Sequence, residues 1–254
     1  MTTIYTDPKF VEGLPVTISP AGNVENETEE RITNEIINSA PGPAFVFAEL
    51  GAGYGRWCAH VVLYCRECRR DLAVHVIAVE PEPTHFQWLK EHMVNNEIGL
   101  HDCTLIDRPI STKPGWTLFQ VGSPATWYGQ RVVGINPMRV FHATPSQIFQ
   151  RIREGFGLRV VRSMSLESAL AGHPRVDLIN IDIQGDELNV LARTPLTVLD
   201  RIHWLYIGTH SPEIEQGLHV LLGGLGWQCT YELPQDPDFG ITDGIQVWRN
   251  PLWG

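Results

Sequence analysis

The stretch AFVFAELGAGYG, residues 44–55, decides the fold. Ala44 to Leu50 is an apolar run with the length of a buried strand, and Gly51, Gly53 and Gly55 follow it at once. Arg56 to Arg70 then reads as a helix. A strand, a glycine-rich turn and a helix in that order make a unit whose backbone can approach a ligand closely. The pattern repeats outward. Val74 to Val79 is a second strand, closed by Glu80, and Thr84 to Asn95 is a helix with Phe86, Leu89 and Met93 on one face. Cys103 to Ile106 is a third strand, ending at Asp107, and Val176 to Ile181 is a fourth, ending at Asp182. Glu187 to Ala192 begins the next helix; His203 to Ile207 and Pro212 to Leu225 are a fifth strand and its helix. Trp227 to Leu233 and Ile241 to Arg249 close the chain as two strands with no helix between them, which makes an antiparallel hairpin at one edge. Strands alternating with helices predict an α/β fold: a mostly parallel seven-stranded sheet covered on both faces, with an antiparallel edge strand.

Two regions fall outside this rhythm. Residues 1–24 are rich in proline and read as an extended arm or lid, followed by a helix from Asn26 to Ser39 with glutamates in its first turn, where the helix dipole favours them. Residues 108–157 carry several glycines and prolines with Trp116, Trp127 and Tyr128. That is too long for a plain connection and reads as a substrate-side insertion. No linker divides the chain, so residues 1–254 are expected to form a single domain.

Composition narrows the function. Among 254 residues, 43% are hydrophobic and 19% charged, which excludes a disordered chain. The net charge of −10 argues against duplex nucleic acid or an anionic membrane as the main partner. No apolar run approaches the ~18 residues of a membrane-spanning helix, and the N-terminus lacks a secretory signal. Five cysteines at irregular spacing suggest free thiols in a reducing compartment, hence a cytoplasmic protein. A small-molecule partner fits this best.

The strand ends carry the chemistry. Open parallel sheets bind ligands at the carboxyl ends of their strands. Glu80 there can accept both hydroxyls of a ribose, and Asp107 can sit beside an adenine amino group or simply turn the chain before Pro109. Glu49, just ahead of the glycine turn, opposes a pyrophosphate but suits a cationic cofactor such as S-adenosylmethionine, with its sulfonium and ammonium groups. In VDLINIDIQGDE (residues 176–187) a buried strand delivers Asp182 to the same edge. Gln184, Gly185 and Asp186 form a tight turn, and Glu187 enters the next helix; helix capping by Asp182 and Glu187 is the plain alternative. His210 ends the fifth strand, and an imidazole with an ordinary pKa near 6.5 suits a general base.

These segments resemble the FkbM-type family of S-adenosylmethionine-dependent methyltransferases. The resemblance rests on the Glu49 to Gly55 turn, on Val79-Glu80-Pro81 and on Ile181 to Glu187, and runs from about Phe45 to Val247. Ser165 to Leu170 matches a Thr-Leu-Asp segment of the family, and Ser111 to Gly115 with Trp127 to Gln130 resemble its insertion. One departure stands out: Gly208 replaces the acid of a Glu-x-His motif, while His210 is kept. The resemblance implies a Rossmann-like class I methyltransferase and O-methylation of a sugar or secondary metabolite. It implies cofactor contacts from Glu49, Gly51, Gly53, Gly55, Glu80, Asp107 and Asp182. It also implies substrate contacts from Trp127, Tyr128, Gln130 and Gln184, and catalysis by Asp182 and His210. No divalent metal is expected, since Asp182 is the one clearly placed acidic ligand and magnesium prefers oxygen donors to a histidine. Two rivals stand beside this reading: a nicotinamide-dependent oxidoreductase and a cofactor-fold binding protein without catalysis. Oligomeric state is not set by the sequence; Trp116, Trp127 and Tyr128 suit a substrate wall or a dimer contact equally.

Overall fold

The structure is a computed structural model that describes residues 24–122, 130–132, 157–235 and 243–253. Helix α1 (Val24–Ser39) precedes β1 (Ala44–Leu50), α2 (Arg56–Cys68), β2 (Ala73–Val79), α3 (Pro83–Asn95) and β3 (Cys103–Ile106). Strands β4 (Gly115–Val121), β5 (Arg131–Val132) and β6 (Gly157–Ser163) come next, then α4 (Leu166–Ala169) and β7 (Val176–Ile181). Helices α5 (Glu187–Arg193) and α6 (Leu196–Leu199), strand β8 (Ile202–Thr209), α7 (Pro212–Gly224), β9 (Gln228–Leu233) and β10 (Gly244–Arg249) complete the order.

Seven strands form one sheet in the order β3-β2-β1-β7-β8-β10-β9. The pairs among β3, β2, β1, β7 and β8 are parallel, and β10 runs antiparallel to both β8 and β9. The fold is the Rossmann-like arrangement expected, with the hairpin at the β8 side. β1 shows why so few residues suffice to specify it. Phe45 and Phe47 pack into the core under α1, α2 and α3, while Ala48 and Leu50 pack into the opposite core with α4, α5 and α7. A strand buried on both faces reads as a continuous apolar run.

The helix starts are locally encoded. Glu82 accepts a hydrogen bond from the His85 amide at 2.8 Å, with Pro83 at the first position of α3. Ser211 caps α7 in the same way, again ahead of a proline. Proline lacks the N–H that a first helical turn would leave unbonded. The insertion contributes a second, antiparallel sheet in the order β5-β4-β6. Among the described residues, no helix is long and apolar enough to cross a membrane.

Candidate active site

The glycine turn is pinned between two strand ends. Gly51 and Ala52 donate to the Val79 carbonyl at 3.0 and 2.9 Å, and the Asp182 amide donates to the Leu50 carbonyl at 2.9 Å. Gly51 has φ +90°, and a Cβ there would lie 1.9 Å from the Asp182 carbonyl oxygen. Only glycine tolerates both the backbone angle and the approach. Gly53 also has positive φ, and its amide donates to Glu80 Oε2 at 2.8 Å.

Glu80 therefore does two things. Its other oxygen, Oε1, accepts from the Glu82 amide at 2.7 Å, so one carboxylate ties the glycine turn to the start of α3. Each oxygen keeps a further lone pair for a hydroxyl donor. Burial pushes its pKa up to about 8, against the pull of the two amide hydrogen bonds. Glu49 is held similarly. Its Oε2 accepts from the Cys58 amide at 3.0 Å, in the first turn of α2, whose N-terminal neighbour Gly55 offers no side-chain cap. Burial raises Glu49 to about 8 as well. Two buried acids beside the glycine turn suit a ligand that brings positive charge and hydroxyl donors, since such a ligand favours their charged forms.

Two cavities meet over this turn and share Gly51, Gly53 and Asp182 as their common wall. The first is bounded by Glu80, Ile110 and Gln184. Phe119 and Gln130 of the insertion line it too. The second takes in Glu29, Glu49, Asn180, Tyr206 and Asp243.

Asp182, Glu187 and His210 come together as the strand ends suggest, with ligand-type atoms within 4.8 Å of one another. His210 Nε2 lies 3.2 Å from Asp182 Oδ1, and Nδ1 lies 3.0 Å from Glu187 Oε1. Asp243 stands 3.9 Å from Nε2. Burial alone would lower the imidazole pKa, but the Asp182 and Glu187 carboxylates outweigh it and raise it to about 10. A pKa raised in this way favours the imidazolium form of His210 between the two carboxylates. Glu187 is fully buried, and its Oε1 also accepts from the Ile183 and Gly185 amides, each at 3.0 Å. It therefore shapes the turn that carries Gln184, whose φ is +58° and whose Nε2 donates to Asp182 Oδ1 at 2.7 Å.

Asp107 and Gly55 lie outside both cavities. Asp107 lines neither cavity; its side chain is 70% exposed and stands 3.9 Å from Arg108, while Pro109 and Ile110 face the first cavity instead. Gly55 is a packing glycine: it lines neither cavity, and a Cβ there would meet Leu89 of α3 at 2.2 Å. Trp127 and Tyr128 lie outside the described residues.

Glu29 was missed. It comes from α1, accepts a short hydrogen bond from Asn180 Nδ2, and lines the second cavity. Burial, and then the nearby Glu49 and Asp182 charges, raise its pKa well above the usual carboxylate value, only partly offset by Arg56 and Asn180. A signal was available. Glu29 stands three and seven residues before Ile32 and Ile36, on the stripe that α1 buries.

A fold of this kind with acids at its strand ends defines a ligand-binding α/β protein, and comparison with known proteins names the class. Residues 49–231 match the methyltransferase FkbM domain. The chain belongs to the FkbM methyltransferase domain family. A protein from Jannaschia sp. (strain CCS1) named "Putative methyltransferase" is 26% identical over 212 residues, covering 80% of this chain and 71% of that protein. Among solved structures, a METTL16 MTase domain is similar at TM-score 0.49 and 13% identity, covering 89% of this chain and 67% of its own. M. capricolum TrmK, solved with S-adenosyl-homocysteine, is similar at TM-score 0.46 and 9% identity, covering 87% of this chain and 68% of its own. Family membership sets aside the nicotinamide-dependent oxidoreductase.

Proposed function

We propose that the protein is an S-adenosylmethionine-dependent O-methyltransferase acting on a hydroxyl of a sugar or secondary metabolite. One observation carries this reading: the glycine turn, Glu80, Glu49 and Asp182 converge on two adjoining cavities in a chain of methyltransferase family. When bound, S-adenosylmethionine supplies an electrophilic methyl group on a cationic sulfur. Glu80 would hold its ribose hydroxyls and Ile110 would face the adenine side. Glu49 and the turn at Gly51 and Gly53 would hold the methionine end. The methionine end then enters the second cavity beside Glu49, and the rest of that cavity is left for the acceptor.

The acceptor hydroxyl must lose its proton, and a carboxylate with a raised pKa facing that cavity is suited to take it. Glu29 fills this role. His210 Nε2 and Gln184 Nε2 both meet Asp182 Oδ1, which leaves Oδ2 to orient the acceptor. Phe119 and Gln130 of the insertion help to exclude water from the first cavity. None of these steps calls for a metal ion, and activity is expected to survive a chelator.

The reading is tested by incubating the protein with methyl-labelled S-adenosylmethionine and a panel of sugars and polyhydroxylated metabolites. Each is paired with an analogue in which one hydroxyl is removed or replaced by an amine. Label is expected in an O-methyl ether, lost with the deoxy analogue. Transfer to nitrogen or carbon alone, or cofactor binding with no transfer to any acceptor, contradicts it.

A further inference from the structure

Outside both cavities, α7 and β9 bring together a second set of metal-ligating groups. His219 on α7 and Cys229 and Glu232 on β9 each offer an atom within 4.8 Å of the other two. None of the three lines either active-site cavity. Cys229 and Glu232 are three residues apart and would face opposite sides of a regular strand. A β-bulge changes that. Tyr231 pairs with Val247 and Cys229 with Trp248, so Thr230 is the extra residue. Cys229 thereby turns to the face covered by α7, where it packs beside Trp248, whereas Tyr231 and Leu233 pack into the other core. Bulges commonly re-aim a side chain in this way.

The groups around these three hold them in place. Glu232 Oε1 lies 2.7 Å from His219 Nε2 and accepts from Gln246 Nε2, also at 2.7 Å. Gln246 is fully buried; its Nε2 also donates to the Glu215 carbonyl at 3.2 Å, and its Oε1 accepts from Trp248 Nε1 at 3.0 Å. The His219 ring meets the Trp248 ring edge-on at 5.0 Å between centroids. An outer layer that orients a carboxylate and an imidazole is the usual accompaniment of a metal site.

We propose that His219, Cys229 and Glu232 form a zinc site that ties the outermost strand, β9, to α7. One thiolate, one imidazole and one carboxylate suit zinc, at about 2.3 Å from sulfur and about 2.0–2.2 Å from nitrogen and oxygen. Three protein ligands leave a fourth position for water or an outside ligand. The His219–Glu232 contact opens slightly as the ion enters. Cys229 loses its thiol proton to solvent on binding, and the uptake of zinc therefore strengthens as pH rises.

Chelator-treated protein is titrated with Zn²⁺ against a chromophoric competitor, and with Co²⁺ as a spectroscopic probe. One zinc per chain at micromolar affinity or tighter is expected, with a thiolate-to-cobalt band in the near ultraviolet. Cys229→Ser is expected to remove the band and weaken zinc binding at least ~100-fold, His219→Ala to do likewise, and Cys68→Ser to change neither. Circular dichroism confirms that each variant is folded. The proposal is overturned if no zinc binds at micromolar concentration, if binding survives Cys229→Ser, or if it is lost in Asp182→Asn, which would move the ion to the cleft.

Discussion

Gly51→Ala is expected to abolish cofactor binding, with at least a hundredfold loss of affinity for S-adenosylhomocysteine. The new methyl group has nowhere to go. At φ +90° it points at the backbone carbonyl of Asp182, 1.9 Å away, and that carbonyl belongs to a strand end fixed to Leu50 by its own amide. A flexible side chain could move aside; backbone at the end of a paired strand cannot. Left-handed strain costs about 1–3 kcal/mol and overpacking about as much again, so a fall in Tm on the order of 5–15 °C should accompany the loss. Gly172→Ala separates the two causes. Gly172 also has positive φ, at +86°, but nothing lies within 4 Å of its would-be Cβ. It should lose stability modestly and keep its affinity. If Gly51→Ala binds as tightly as the wild type, the turn is not where the cofactor lies.

Glu29→Gln should lower kcat by roughly 10²–10⁴-fold, the range of general-base catalysis, and leave cofactor affinity nearly unchanged. Glutamine keeps the shape and can still meet Asn180, so a structural role alone predicts little change. The pH dependence makes the test sharper. Glu29 has its pKa raised by burial and by Glu49 and Asp182. The base form dominates only above that raised pKa, so wild-type kcat/KM should climb with pH and then level off. In Glu29→Gln the remaining rate should lose that rise. An unchanged pH profile with an unchanged kcat would place the base elsewhere, with Asp182 the next group to replace.

How much of this was legible in the sequence depends on what encodes each feature. The sheet was legible because strands buried on both faces are written as apolar runs, and because glycine or an acid marks where β1, β2 and β7 end. The strand-end positions of Asp182 and His210, and that of Glu187 at the start of the next helix, followed from the alternation alone. The carboxylate surroundings of His210 did not, because they come from three separate segments: β7's end, the start of α5 and the approach to β10. Asp107 was placed at the right strand end, but a position at a strand end does not say which way a side chain turns. Gly55 looked like its two neighbours in the turn, yet it serves the contact with Leu89. Glu29 is one of five glutamates in α1, and no local chemistry separates it from the others. Its spacing from Ile32 and Ile36 does, once the helix is known to pack over the sheet.

The central claim is that the cleft over the glycine turn binds S-adenosylmethionine through Glu80. Calorimetric titration with S-adenosylhomocysteine tests it most directly, on the wild type and on Glu80→Ala. The account predicts one site per chain in the wild type. It predicts a roughly ten- to hundredfold weaker site in a folded Glu80→Ala, since two ribose hydrogen bonds at about 0.5–1.5 kcal/mol each are lost. Absence of binding in the wild type, or equal affinity in the two proteins, would contradict it.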